Sequence, residues 1–420
     1  MRYTDVAIVG GGLAGSTAAA MLARAGIPAV LIDPHPVYPP ELRCEKIGGE
    51  QLDLLRKTGL ADATLRATTL DGEVWEARFG YVVARKASDQ HGVMYDTLVN
   101  TLRAQVSPDV PTIHAKASSI SNGPERQKIT LSTGEEISAR LVVLANGLNV
   151  GLRHMLGMRR RVISECHSVT LGFDIAPVGR AEFDFPALTY WPKWASSRMA
   201  YLSIFPIGNA MRANLMVYRD MTDPWLSEFK QAPEQTMRAM MPGLRRMMGE
   251  FRVSCAVKIR PADLYVTDGH LQPGIVLVGD AFSTSCPAAG TGTTKVFSDV
   301  QLLCNRYIPQ WLATDGMDAE KIAGFYRDPE KWIARRDVLP RPIIFDRCRS
   351  TRACPGAPSA GPGLSCGWLT ASGGRSRSSF PHGPPRQIQA RDNRRIRDKA
   401  ASPRALSVPI ESERGSIFLF

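Results

Sequence analysis

The sequence predicts an α/β protein in two parts: a three-layer domain on a parallel sheet, discontinuous in sequence, and an antiparallel β-sheet domain inserted into it. Three observations carry that expectation. Short, wholly apolar runs at residues 6–9, 29–32, 141–145 and 275–278 suit parallel strands buried on both faces. Residues 162–266 change texture to alternating, aromatic-rich segments of the antiparallel type. The buried-strand runs stand on both sides of that stretch. The expected boundaries are 1–160 and 267–335 for the two parts of the parallel-sheet domain, 161–266 for the antiparallel-sheet domain, and 341–420 for a tail.

Each element follows from its residues. Residues 6–9 lead into a glycine loop, and 13–25 are rich in Ala and Leu, as a helix packed closely on a sheet requires. Gly26-Ile27-Pro28 stops that helix. A second strand, 29–32, ends at Asp33, and Pro34, Pro36, Pro39 and Pro40 then exclude regular structure. A helix resumes near Glu50 and runs to Thr58, with Gly59 in the stop position. Residues 96–103 read as an amphipathic helix, 129–137 as a hairpin around Gly134, and 141–145 as a strand opening into Asn146-Gly147. Strands are expected at 168–173, 188–191 and 199–205, with one helical stretch at 233–248. A last strand at 275–278 precedes a helix from about 293 to 307.

Composition narrows the function. With 420 residues, 44% hydrophobic and 22% charged, the chain is neither collagenous, nor a coiled coil, nor disordered throughout. Of its net charge of +12, +9 lies in residues 341–420, so the main body is near neutral and no nucleic-acid partner is expected. That tail holds 9 Pro, 8 Gly and 11 Ser, which points to disorder, and no aromatic residue interleaves its Arg391 to Lys399 cluster. The 8 cysteines form no C-x-x-C pair, which suits reduced thiols and a cytoplasmic location. Residues 6–23 are uncharged over the minimum length of a membrane span, but the glycines between 10 and 15 would break a spanning helix. The 7 histidines show no ligand spacing, so no metal is expected.

Gly10-Gly11-Gly12-Leu13-Ala14-Gly15 satisfies G-x-G-x-x-G between a strand and a helix, with Asp33 ending the next strand. Gly10 allows the tight turn, Gly12 lets backbone approach a pyrophosphate, and Gly15 lets helix and strand pack closely. The helix start supplies unpaired N–H groups for phosphates, and Asp33 can accept from a ribose diol. Residues 10 and 12–15 with Asp33 are thus expected dinucleotide contacts. In the second motif, residues 279–292, a buried strand delivers Asp280, Pro287 ends a loop, and Gly290 and Gly292 open a helix. Asp280 is placed for a hydroxylated chain, and the two glycines let a flat ring lie against backbone N–H groups.

With both motifs near the appropriate ends, residues 3–330 resemble the FAD-dependent monooxygenases of the aromatic-hydroxylase (group A flavoprotein) type. That type belongs to a wider fold group with flavin halogenases and geranylgeranyl reductases. The resemblance implies a Rossmann-like, three-layer FAD-binding domain. It implies that Asp280 holds the FAD ribitol with Gly279 beside it as a cofactor contact, that Pro287 lies beside the flavin, that Gly290 and Gly292 face its pyrimidine ring, and that Arg43 stands near the phosphates. The sequence departs from the family at Ala145-Asn146-Gly147, where A-D-G is usual, at Val150 in place of Ser before Arg153, and at Tyr95.

The resemblance further implies that NAD(P)H reduces FAD, that molecular oxygen adds to form a flavin hydroperoxide, and that one oxygen atom passes to an apolar or aromatic small molecule. Tyr190, Trp191, Tyr201 and Phe205 are the expected pocket walls; no catalytic side chain stands out. Trp191-Pro192-Lys193-Trp194 falls short of the halogenase signature W-x-W-x-I-P. Residues 201–206 resemble Y-x-W-x-F-P of the prenyl reductases with Ser203 replacing Trp, which makes a geranylgeranyl-type reductase the alternative. A flavin-binding protein with degraded activity is the third reading, because the family's C-terminal helices are not recognisable in the tail.

Overall fold

The structure, a computed structural model, describes residues 1–333; the tail read from the sequence at 341–420 lies outside the described residues. The four apolar runs do form parallel strands of one sheet: Arg2–Val9, Ala29–Ile32, Glu136–Leu144 and Ile275–Leu277. Arg2–Val9 lies between Ala29–Ile32 and Glu136–Leu144, and Thr112–Ile113 pairs with the outer edge of Ala29–Ile32. Glu136–Leu144 is shared. Its first half pairs antiparallel with Gln127–Leu131, which in turn pairs with Ala117–Ser121, and its second half pairs parallel with Ile275–Leu277. Register explains why distant sequence converges: Val9 pairs with both Ile32 and Leu144, and Leu144 with Leu277. All four strands therefore end level, and the residues that follow them meet along one carboxyl edge, where ligands bind open α/β sheets.

The helix Leu13–Arg24 is buried from Leu13 to Leu22 and packs on Tyr95–Arg103 and Gly292–Leu302. Its Ala-rich sequence and Gly15 allow that closeness: a Cβ at Gly15 would stand 1.8 Å from the Gly10 carbonyl oxygen. Gly10 itself has φ +106°, which only glycine adopts without strain.

The second sheet has eight strands. In order they are Phe251–Val253, Arg159–Pro177, Ala210–Val217, Met199–Ile207, Ala187–Trp191, Glu73–Arg78 and Tyr81–Ala87, with Lys258–Asp268 also on Arg159–Pro177. The hairpin Glu73–Ala87 comes from the segment read as the first part of the nucleotide domain, yet it adds to this sheet through a parallel pairing with Ala187–Trp191. Partners so remote in sequence leave no local signal. The helical stretch read at 233–248 is two helices, Pro233–Met240 and Leu244–Met248, because Pro242 and Gly243 interrupt it. With Pro224–Gln231 they cover one face of the sheet through Phe229, Met237, Leu244 and Met248. Among the described residues no helix is long and apolar enough to cross a membrane.

Candidate functional site

A crevice of about 580 Å³ runs along the carboxyl edge of the parallel sheet. Gly10, Gly12, Leu13, Ala14, Asp33, Arg43 and Asp280 all line it, so both motifs open on one continuous space. Gly12 faces that space: an added Cβ would meet only the Tyr38 ring, at 3.8 Å. Gly15 sits behind it and sets the approach of helix to strand. Asp33 lies in the wall with its oxygens already engaged. Gly11 N–H donates to it at 2.7 Å, His35 N–H at 2.9 Å, and the Arg103 guanidinium stands 2.9 Å away. Burial alone would raise its carboxyl, but these donors and the Arg103 charge hold it below its ordinary value.

The second motif is fixed at three successive residues. Gly279 N–H donates to Asp299, the Tyr265 hydroxyl donates to the Asp280 carbonyl at 2.6 Å, and the Ala281 carbonyl accepts from Arg153 and from Thr267 Oγ1. Arg153 also donates to the Gly147 and Asn149 carbonyls, tying the middle loop to the second motif. The Asp280 carboxylate is left pointing at cations: Arg43 Nη1 at 2.9 Å and the buried Lys295 Nζ at 3.5 Å. Arg43 pairs in turn with Glu41, which also binds Arg260. Burial would raise Glu41, but the two guanidinium groups win and hold it at about 2.

Pro287, Gly290 and Gly292 do not line the crevice; they lie beyond Asp280, in the turn Pro287–Ala289 and at the start of Gly292–Leu302. Two contacts hold that turn. Gln51 Nε2 donates to the Gly290 carbonyl at 2.7 Å, and the Tyr201 hydroxyl donates to the Ala288 carbonyl at 3.0 Å. The second sheet is thereby joined to the second motif.

The four expected pocket walls divide by strand alternation. Tyr201, Ser203 and Phe205 share one face, and the Trp191 ring is 5.5 Å from that of Tyr201. Phe205 is buried beneath Lys46, whose Nζ lies 5.1 Å from its ring and 3.2 Å from Ser203 Oγ. Tyr190 is a correction: it points to the other face, into the hydrophobic core with Leu188, Leu202 and Ile204. Sequence reading missed Glu41, Arg103, Lys295 and Asp299. Arg103 meets Gly11 92 residues away and Glu41 meets Arg260 219 residues away, while Lys295 and Asp299 reach Asp280 and Gly279 only across the folded turn, so no spacing rule marks them.

The arrangement fits a flavin dinucleotide. Gly12 leaves open backbone at a helix start, the Asp280 carboxylate lines the same crevice, and buried Asn146 Oδ1 on its wall has no hydrogen-bond partner. Fold and site together define a dinucleotide-binding flavoprotein. Residues 3–308 match the FAD binding domain family, and the chain belongs to it. It is similar to 3-demethoxyubiquinol 3-hydroxylase of Escherichia coli (strain K12), 25% identical over 71% of this chain and 78% of that protein. It is also similar to 3-amino-4-hydroxybenzoate 2-monooxygenase PtmB3 of Streptomyces platensis, 24% identical over 83% and 86%. Among solved structures it shares the fold of p-nitrophenol 4-monooxygenase PnpA from Pseudomonas putida DLL-E4, with a TM-score of 0.61, 15% identity, and coverage of 83% and 92%. The protein is a FAD-dependent oxidoreductase of the flavin monooxygenase family.

Proposed function

We propose that the protein hydroxylates an apolar or aromatic small molecule, using NAD(P)H as reductant and molecular oxygen as co-substrate. The observation that carries this reading is the hydrogen bond from Tyr201 to Ala288, which sets an aromatic sheet face against the turn of the second motif. FAD, when bound, supplies the electrons that activate oxygen. The chain's own residues bind, orient and exclude water. Backbone N–H groups at the start of Leu13–Arg24, with Arg43, would hold the pyrophosphate, Asp280 would accept from the ribitol hydroxyls, and the backbone at Gly290 and Gly292 would serve the flavin end. Trp191 and Tyr201 wall the space beside the Pro287 turn and keep it apolar.

The test begins with the absorption spectrum of purified protein, reconstituted with FAD where needed. Oxygen uptake and NAD(P)H oxidation are then followed with candidate phenols. Substrate-stimulated oxygen consumption with a hydroxylated product is the expected result. A preparation that never takes up FAD overturns the reading. Saturation of an isoprenoid double bond without oxygen uptake would replace it with the prenyl-type reductase that residues 201–206 resemble.

A further inference from the structure

The helices Ala319–Arg327 and Pro329–Ile333 pack behind the second motif and place two side chains on it. Lys331 Nζ lies 2.6 Å from Asp299 Oδ1, and the two side chains are 1% and 2% exposed. The ammonium also sits 5.2, 4.0 and 5.3 Å from the rings of Phe282, Phe325 and Tyr326. The other Asp299 oxygen accepts from Gly279 N–H at 3.2 Å. From the preceding helix, Ala319–Arg327, the Tyr326 hydroxyl accepts from Leu277 N–H at 2.8 Å and donates to the Leu277 carbonyl at 3.2 Å. Leu277, the last residue of the strand leading to Asp280, and Gly279, two residues beyond it, are thus held by side chains that depend on residues 319–333.

A fully buried ion pair is a poor source of stability, because desolvating both charges offsets their attraction, and two apolar residues would fill the same core. What a carboxylate at 299 does that an apolar residue cannot do is accept the Gly279 N–H. Gly279 has φ +59° and immediately precedes Asp280, so that hydrogen bond fixes a turn with little intrinsic preference for its shape. Lys331 supplies the counter-charge to that carboxylate where water does not reach it.

We propose that Asp299 and Lys331 are positioning residues for the cofactor, which set the Gly279 turn and so aim the Asp280 carboxylate, coupling the docking of residues 319–333 to FAD binding. Such coupling is reciprocal: whatever docking contributes to FAD affinity, bound FAD returns as protection of the docked helices. The inference rests on Asp280 as a FAD contact.

Two charge-neutral double variants of the full chain separate positioning from core packing. Asp299→Asn with Lys331→Met keeps an acceptor for Gly279; Asp299→Leu with Lys331→Met removes it. Titrated with FAD by flavin fluorescence, the second is expected to bind FAD more weakly than the first by roughly tenfold or more. Equal affinities in the two variants overturn the inference. Amide hydrogen exchange in the unsubstituted protein supplies a readout that needs no variant. Exchange in residues 319–333 is expected to slow several-fold when FAD is added, and identical exchange with and without FAD overturns the coupling. Failure of the unsubstituted protein to bind FAD would instead overturn the reading of Asp280 itself.

Discussion

Arg43 and Asp280, 237 residues apart in sequence, meet at 2.9 Å on the crevice between the two nucleotide motifs. The contact belongs to a run of alternating charges: Arg260 to Glu41, Glu41 to Arg43, Arg43 to Asp280 and Asp280 to Lys295. Arg260 comes from the second sheet and Lys295 from the helix of the second motif, so the run ties both sheets to the same carboxylate. Each member neutralises its neighbours, which lets charges collect in a partly buried place.

That relationship predicts the effect of neutralising its centre. In Asp280→Asn, Arg43 and Lys295 lose their shared carboxylate and the ribitol loses a charged acceptor. FAD affinity is expected to fall by roughly 10- to 100-fold, as the loss of charge-assisted hydrogen bonds implies. Fluorescence titration with FAD measures it. An unchanged dissociation constant would remove Asp280 from the site.

The first motif makes a different prediction, because two of its glycines have opposite surroundings. A Cβ at Gly15 meets the Gly10 carbonyl oxygen at 1.8 Å, while one at Gly12 enters open space at φ −78°. Gly15→Ala must push the helix off the strand, at a cost of about 2–3 kcal/mol or more, visible as a lower Tm of the apoprotein. Gly12→Ala is expected to leave that Tm unchanged and still weaken FAD binding, since the methyl group occupies the backbone's approach to the pyrophosphate. A Gly12→Ala protein that binds FAD normally would show that the cofactor does not pass there.

These contrasts mark what a single sequence can and cannot reveal. The parallel strands were legible because burial on both faces demands continuous apolar runs, and the glycine motif because backbone conformation restricts residue choice locally. The hairpin Glu73–Ala87 was not, since its place depends on pairing with Ala187–Trp191, more than a hundred residues later. Asp299 was not, because a helical Asp is ordinarily a solvated one, and only the distant Lys331 makes this one a buried acceptor. The aromatic run at 190–205 was visible, but which face each ring takes follows from strand register. That is how Tyr190 came to be read as a wall.

Tyr190 and Trp191 test that register directly. Tyr190 is 3% exposed within the core, whereas Trp191 is 37% exposed beside Tyr201. Tyr190→Ala is expected to cost about 3–5 kcal/mol, as for other large core truncations, with KM for an apolar substrate unaltered in whatever protein remains folded. Trp191→Ala is expected to cost about 1 kcal/mol or less and to raise that KM several-fold. Chemical denaturation and steady-state kinetics on the two variants decide; the reverse pattern would put the pocket on the other face of the sheet.

Glu41 gives the chain of charges a pH signature. In the folded protein it is held at about 2 by Arg43 and Arg260 against the opposing effect of burial, while the ordinary value, proper to the unfolded chain, is 4.5. A carboxyl whose folded value is depressed stabilises the protein fully above its unfolded value, and that contribution disappears as pH falls through the folded one. The window is therefore pH 4.5 down to 2. Allowing for solvent at its exposed edge, the contribution is on the order of 1–2 kcal/mol. Glu41→Gln is expected to lower Tm by a constant amount between pH 7 and 5.5. The gap to the parent should then narrow steadily as pH drops below 4.5, because the parent protonates the same group. A gap that stays constant down to pH 3, or widens, would mean that Glu41 is not ionised between the two arginines.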